Sequence, residues 1–218
     1  MGNLFNYDNK FFQGFNKIID CVVISALWLL FCVPVFTAGA ATSAMYYTVH
    51  KVLRGGRGYV WINFWTGFKE NFKQSTILWL IVSIASGLMM FNVFIMRQYL
   101  LNSGGALGLL FYVYIVLLLL LAIWSIYLFT YTSRFKNTIR NIIKNTAIIA
   151  LLNLPYSFLF LVFLILSTAA IYLIPILVLL LPAMMMWILN YFMEKIYRKY
   201  MSEEDLAKEI ELDKEIHL

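Results

Sequence analysis

Charge is scarce in this sequence: 13% of its 218 residues are Asp, Glu, Lys or Arg, where a soluble domain carries about 25%. So little polar surface cannot cover the apolar segments that make up the rest, which excludes a water-soluble helical protein. Strict alternation of apolar and polar residues is also missing, and without it a β-barrel has no basis. The two cysteines, Cys21 and Cys32, share one apolar run and have no cluster of metal-ligand spacing around them. They read as small membrane hydrophobes. Of the two histidines, His50 and His217, neither belongs to an HExxH or other zinc pattern. There is no GxxxxGK[ST] loop, so hydrolysis of ATP by that route is excluded. The glycine-rich "RGGRGY" at Arg54–Tyr59 lacks the lysine–hydroxyl pair of a phosphate cradle and reads as a turn. No nucleophile–base pair, cofactor motif or metal set is present, and the expectation is a protein that is not an enzyme.

What the chain does contain is apolar length. Hydrophobic residues make up 62% of it, in the runs Ile18–Phe36, Thr76–Met96, Leu107–Thr130, Thr146–Tyr172 and Ile174–Phe192. A helix needs about 20 such residues to cross a hydrocarbon core of about 30 Å, and each run is long enough. The expected fold is all-α, a polytopic membrane helix bundle. Ala38-Gly39-Ala40 superficially suits a signal peptidase. However, the run before it exceeds a signal core, and Asp8 and Asp20 precede it, so it reads as a retained first helix.

Lysine and arginine mark the cytoplasmic side. They gather at Lys10 and Lys17, at Lys51 to Lys73, at Arg134 to Lys144, and from Lys195 onward. The loop after Arg97 and the turn near Tyr172 are nearly free of them. A return crossing at 38–53 puts 16 of the 17 basic residues inside. Its ends are short, but Lys51 and Arg54 can snorkel. Pro34 and Gly39 are expected to supply the turn before it, with Thr37 as N-cap. The expectation is six spans, at 18–36, 38–53, 75–96, 107–131, 146–170 and 173–193, within a membrane domain 1–201. Both termini are then cytoplasmic. Five spans, with 38–53 re-entrant or interfacial, is the alternative.

Two segments interrupt the apolar text. In "WINFWTGFKENFKQ" (61–74), Trp61, Phe64, Trp65, Phe68 and Phe72 share one helical face, and Asn63, Thr66, Lys69, Glu70 and Lys73 the other. In 134–145, Phe135, Ile139, Ile142 and Ile143 oppose Lys136, Arg140 and Lys144. A shift of 71 residues aligns Phe64 with Phe135, Lys69 with Arg140, Lys73 with Lys144, Gln74 with Asn145 and Ser75 with Thr146. The pattern is span, amphipathic helix, span, twice, as in transport proteins built from parallel repeats. Both segments are expected as cytoplasmic interfacial helices. One reading makes them anchors to anionic lipid. The sharper one makes Lys69, Glu70, Lys73, Arg140 and Lys144 a surface for a protein partner, because the polar faces mix charge with Asn, Gln, Ser and Thr rather than being uniformly basic.

Asp20 and Glu194 are placed at cytoplasmic helix ends, as interfacial groups. Asn92, Asn153 and Asn190 lie deeper and are expected to bond between helices. Residues 202–218 form an acidic cytoplasmic tail of seven acids and two lysines, net −5, leaving +11 for residues 1–201. Ser202 with Asp205 resembles a capping box. The positive charge follows the membrane edge, so nucleic acid is not an expected partner.

The segment from Asn3 to Val52, with Leu27-Trp28-Leu29, Pro34, Thr37, Gly39, Ala44 and the tyrosines after it, resembles the YesL family of bacterial membrane proteins. "FKENFKQ" at Phe68–Gln74 extends the resemblance, which covers Asn3–Tyr200. It implies a multi-pass protein of a Gram-positive cytoplasmic membrane, of a kind encoded beside carbohydrate ABC importers. It implies no catalytic residue. Two functions follow as expectations. One is a non-enzymatic accessory subunit of a carbohydrate (oligosaccharide) ABC uptake system, docked on the permease subunits and seated in the lipid bilayer. The alternative is a stand-alone permease or channel, as a homo-oligomer such as a homodimer, with Asn92, Asn153, Asn190 and the tyrosines lining the path.

Overall fold

The computed structural model describes residues 10–103 and 106–201, with Leu206; residues 1–9 and the acidic tail lie outside the described residues. Among the described residues every regular element is a helix: α1 Lys10–Cys32, α2 Ala38–Thr48, α3 Val60–Ser103, α4 Leu110–Arg134, α5 Ile139–Leu152, α6 Leu154–Leu173 and α7 Leu181–Tyr197. Four stretches are long and apolar enough to cross a membrane: Gly14–Cys32, Val60–Asn102, Leu110–Arg134 and Leu154–Leu173. Their outward faces carry Ile18, Val23, Leu30, Ile84, Leu88, Phe91, Phe94, Val116 and Leu166, all exposed. So much contiguous apolar surface is stable against hydrocarbon and not against water.

The two other expected spans correspond to shorter elements. Segment 38–53 is the 11-residue α2 continued by a six-residue π-type segment, Val49–Arg54. Segment 173–193 is a 3-10 turn, Pro175–Leu179, followed by the 17-residue α7. Segment 38–53 is heavily packed by protein, whereas in 173–193 the turn buries no residue and α7 buries one face only. In α2, Gly39, Ala40, Ala41, Ser43, Ala44, Met45, Tyr46 and Thr48 are all buried. A helix of such small residues lets neighbouring backbones approach closely, which is how helices associate where no hydrophobic drive separates protein from lipid. The neighbours of α2 are α1, α3, α4 and α7.

The turn before α2 differs from expectation in its parts. Pro34 opens a 3-10 turn, Val35–Thr37. Thr37 does not cap α2 with its side chain; its hydroxyl donates back to the carbonyls of Phe31 and Pro34, closing the end of α1 instead. Gly39 makes no turn at all. It lies inside α2, where a Cβ would stand 2.6 Å from the Ser75 carbonyl oxygen, 2.6 Å from Trp79 Cβ and 2.8 Å from Phe129 Cε1. Glycine is there because α2, α3 and α4 meet at that point.

The two amphipathic segments also fold differently from each other. Residues 61–74 are not a separate interfacial helix but the first turns of α3, which runs unbroken for 44 residues, about 66 Å. Its aromatic face is turned partly to protein: Phe64 and Phe68 are buried, with Phe31 of α1 at ring distances of 5.4 and 4.8 Å. The second segment is α5, starting at Ile139 rather than 134 and ending at Leu152, so that residues 146–152 belong to it and not to the following span. Pro155 explains the asymmetry. Lacking an amide hydrogen and restricting its predecessor, it ends a helix behind it and sits well in the first turn of the next, which is where α6 holds it. The aligned position in α3 is Ile84, and that helix has no proline to stop it.

Candidate functional site

Glu194, expected at an interface, is fully buried. It lies on the face of α7 that also buries Ala183, Met186, Asn190, Met193 and Tyr197, a spacing of three and four residues that turns one stripe of the helix inward. Three elements meet at its carboxylate. Tyr46 Oη of α2 donates to Oε1 at 2.9 Å. Arg134 Nε, at the last residue of α4, donates to Oε2 at 3.2 Å. His50 Nδ1, in the π-type segment after α2, lies 3.5 Å from Oε1. A π-type widening of this sort is common at functional sites; here His50 follows Tyr46 by one turn and both reach the same acid. The Arg134 and His50 side chains are each 20% exposed while Glu194 is sealed, so the cluster reaches the surface through these two side chains.

Several other polar groups of the bundle also tie helices together. Thr130 Oγ1 and Tyr197 Oη are 2.7 Å apart, joining α4 to α7. Ser43 Oγ lies 2.8 Å from Ser75 Oγ and donates to the Phe129 carbonyl, joining α2 to α3 and α4. Trp124 Nε1 donates to Thr146 Oγ1 of α5, and Tyr127 Oη pairs with Ser157 of α6. Ser25 Oγ accepts the Ala183 amide at the start of α7, satisfying an N–H that the helix itself leaves orphaned. The deep asparagines do not converge on a path. Asn92 donates to Leu88 of its own helix, Asn153 to Ile149 and to Tyr200 Oη, and Asn190 accepts from Arg54 at 3.5 Å.

Beside the carboxylate, the connector between α4 and α5 is braced from several directions. The Phe135 ring packs on Tyr131 and, edge-on, on Tyr197. Asn137 and Asn145 both donate to Tyr131 Oη, at 3.1 and 3.0 Å, and Gln74 Nε2 of α3 donates to the Asn137 carbonyl at 2.8 Å. Gln74 and Asn145, aligned by the 71-residue shift, thus brace this region from opposite copies of the pattern, Gln74 directly at Asn137 and Asn145 through Tyr131. Ser75 and Thr146 are likewise both fully buried and bonded across helices.

The five charged residues singled out from sequence, Lys69, Glu70, Lys73, Arg140 and Lys144, are all exposed. Lys69 Nζ lies 4.8 Å over the Trp65 ring. The bond from Gln74 to Asn137 brings the two charged segments next to one another, since Gln74 follows Lys73 and Asn137 precedes Arg140 by three residues. Of the turn residues, Pro34 is exposed and Thr37 and Gly39 are buried. Sequence reasoning did not find the cluster of Tyr46, His50, Arg134 and Glu194. The signal available was the inward stripe of α7, which includes Glu194 and leaves Lys195 off it.

Residues 21–93 match the model of a family described as a protein of unknown function, DUF624, the family of YesL-like membrane proteins. The matched segment is a third of the chain and covers α1 from Cys21, the Pro34 turn, α2, the π-type segment and α3 as far as Val93. It contains Tyr46 and His50 and leaves out Arg134 and Glu194. No curated protein and no solved structure matches the sequence.

Proposed function

We infer that the protein is a non-enzymatic accessory subunit of a carbohydrate ABC uptake system, seated in the bacterial cytoplasmic membrane and docked to the permease subunits. Six crossings with both termini cytoplasmic belong to this reading. The observation that carries it is the division of polar groups in the bundle. Ser43, Ser75, Thr130, Thr146, Ser157 and Tyr197 are engaged in interhelical bonds, whereas Lys69, Glu70, Lys73, Arg140 and Lys144 stand exposed on two segments braced together through Gln74 and Asn137. An arrangement of that kind supports a surface for a partner over a path for a solute. The choice of partner rests on the YesL resemblance. Purification from the native membrane in mild detergent is expected to recover importer permease subunits with the chain. Repeated recovery of the chain alone, under conditions that keep the importer intact, would remove the reading. The rival reading as a permease predicts solute flux in proteoliposomes holding this chain only, and the separate destinations of Asn92, Asn153 and Asn190 give it no support.

A further inference from the structure

Five cations are exposed along the proposed docking region: Lys69 and Lys73 on α3, Lys136 in the connector, and Arg140 and Lys144 on α5. Among the described residues none of them forms an ion pair, and Glu70 is the one acid interspersed with them. The end of α7 lies against the same region. Tyr197 meets the Phe135 ring edge-on at 5.5 Å, and Tyr200 Oη accepts a 3.3 Å hydrogen bond from Asn153 Nδ2, at the C-terminal end of α5. The chain therefore enters residues 202–218 beside α5. That segment carries Glu203, Glu204, Asp205, Glu209, Glu211, Asp213 and Glu215 against Lys208 and Lys214, net −5.

We propose that residues 202–218 dock on the basic face of α3 and α5 and compete there with the permease partner. The competition rests on the docking reading above, while the intramolecular contact stands without it. Charge complementarity selects the occupant, since an acidic segment starts within about 20 Å of a basic face that has no acid of its own beyond Glu70. The reach is sufficient. Lys144 and Arg140 precede Asn153 by about 14 and 20 Å of helix, and Glu203 to Glu215 spans about 18 Å if helical and more if extended. Each exposed ion pair is weak alone. Tethering raises the effective concentration of the segment to about the millimolar range, enough for several weak pairs to hold it and too little to make it permanent. A contact of that strength suits a segment that must yield when a partner arrives.

The test uses the full chain with Cys21 and Cys32 replaced by alanine and with Asn141→Cys and Ala207→Cys added, which leaves every charge in place. Mild oxidation in neutral detergent is expected to form the intramolecular disulfide. Its yield should fall about tenfold in 1 M salt, where the screening length is about 3 Å, and equally when Arg140→Glu and Lys144→Glu are introduced. Arg140→Lys with Lys144→Arg should restore it. A yield that stays within about twofold through salt and charge reversal, as mere tethering would give, overturns the proposal. So does a disulfide that forms in neutral-lipid vesicles and disappears in vesicles rich in anionic lipid, because lipid then holds the face. Neither failure touches the recovery of permease subunits, and loss of that recovery leaves the disulfide result standing.

Discussion

Tyr46 and Glu194, 148 residues apart in sequence, are joined by a 2.9 Å hydrogen bond from the phenol to a carboxylate that no solvent reaches. With Arg134 on the other oxygen, one acid fixes α2, α4 and α7 to each other. Taking one partner from a buried pair costs about 3–5 kcal/mol, because the charge that remains loses its compensation. Glu194→Ala is therefore expected to lower the thermal unfolding midpoint in detergent sharply. Tyr46→Phe should cost about 1.5–3 kcal/mol, the range for a hydrogen bond to a charged group. The pair Tyr46→Phe and Glu194→Gln should be non-additive by more than about 0.5 kcal/mol in a double-mutant cycle. Additive losses would mean that the two residues do not act on each other.

Gly39 supplies a second stability test. A Cβ there meets the Ser75 carbonyl, a backbone atom that cannot rotate away, along with Trp79 and Phe129. Gly39→Ala should destabilise by about 1–3 kcal/mol, the usual cost of overpacking, and Gly39→Leu by more. Gly87→Ala is the control. Nothing lies within 4 Å of a Cβ at Gly87, so it should gain about 0.5–1 kcal/mol from helix propensity. Equal effects at the two glycines, read from unfolding midpoints, would contradict the close approach of α2, α3 and α4.

Hydrophobic length made the helical class legible in the sequence, with four of the six expected spans matching stretches long enough to cross a membrane, because lipid demands apolar residues on every side of a span. Boundaries were legible only where a local signal governs them. Pro155 was such a signal, yet the expected span 146–170 runs through it; its ring accounts for the break between α5 and α6 that a hydropathy reading passes over. Ser75 was not, since its hydroxyl serves Ser43 on another helix and leaves α3 intact. The exposed charges of α3 and α5 could be placed from periodicity, which reports what faces away from the protein. Glu194 could not be placed by a residue-by-residue view. A carboxylate near a helix end looks interfacial until Tyr46, His50 and Arg134, supplied by distant parts of the chain, are known to surround it.

Topology is open to labelling. With native cysteines replaced, single cysteines at Tyr59 and Thr138, both exposed, are expected to resist an impermeant thiol reagent added to intact cells, since both lie among the basic segments. A cysteine at Tyr172, 87% exposed, should react. Protection of a cysteine at Asn3 agrees with six crossings, whereas external labelling there selects five.

The docking face can be tested by charge. Lys73 and Lys144 are exposed on neighbouring segments and occupy equivalent positions in the 71-residue alignment. An exposed pair contributes about 0.2–1 kcal/mol, so Lys73→Glu or Lys144→Glu alone should reduce recovery of permease subunits only slightly. Reversing both removes two attractions and adds two repulsions, and like charges facing one another at an interface cost about several kcal/mol. The double variant is therefore expected to lose the partner while inserting and unfolding as the parent does, because neither side chain supports the bundle. An anchor to anionic lipid predicts another outcome, with recovery unchanged and membrane insertion sensitive to the anionic lipid content. Recovery of the partner by the double variant at normal expression would show that these segments hold the protein to lipid rather than to another subunit.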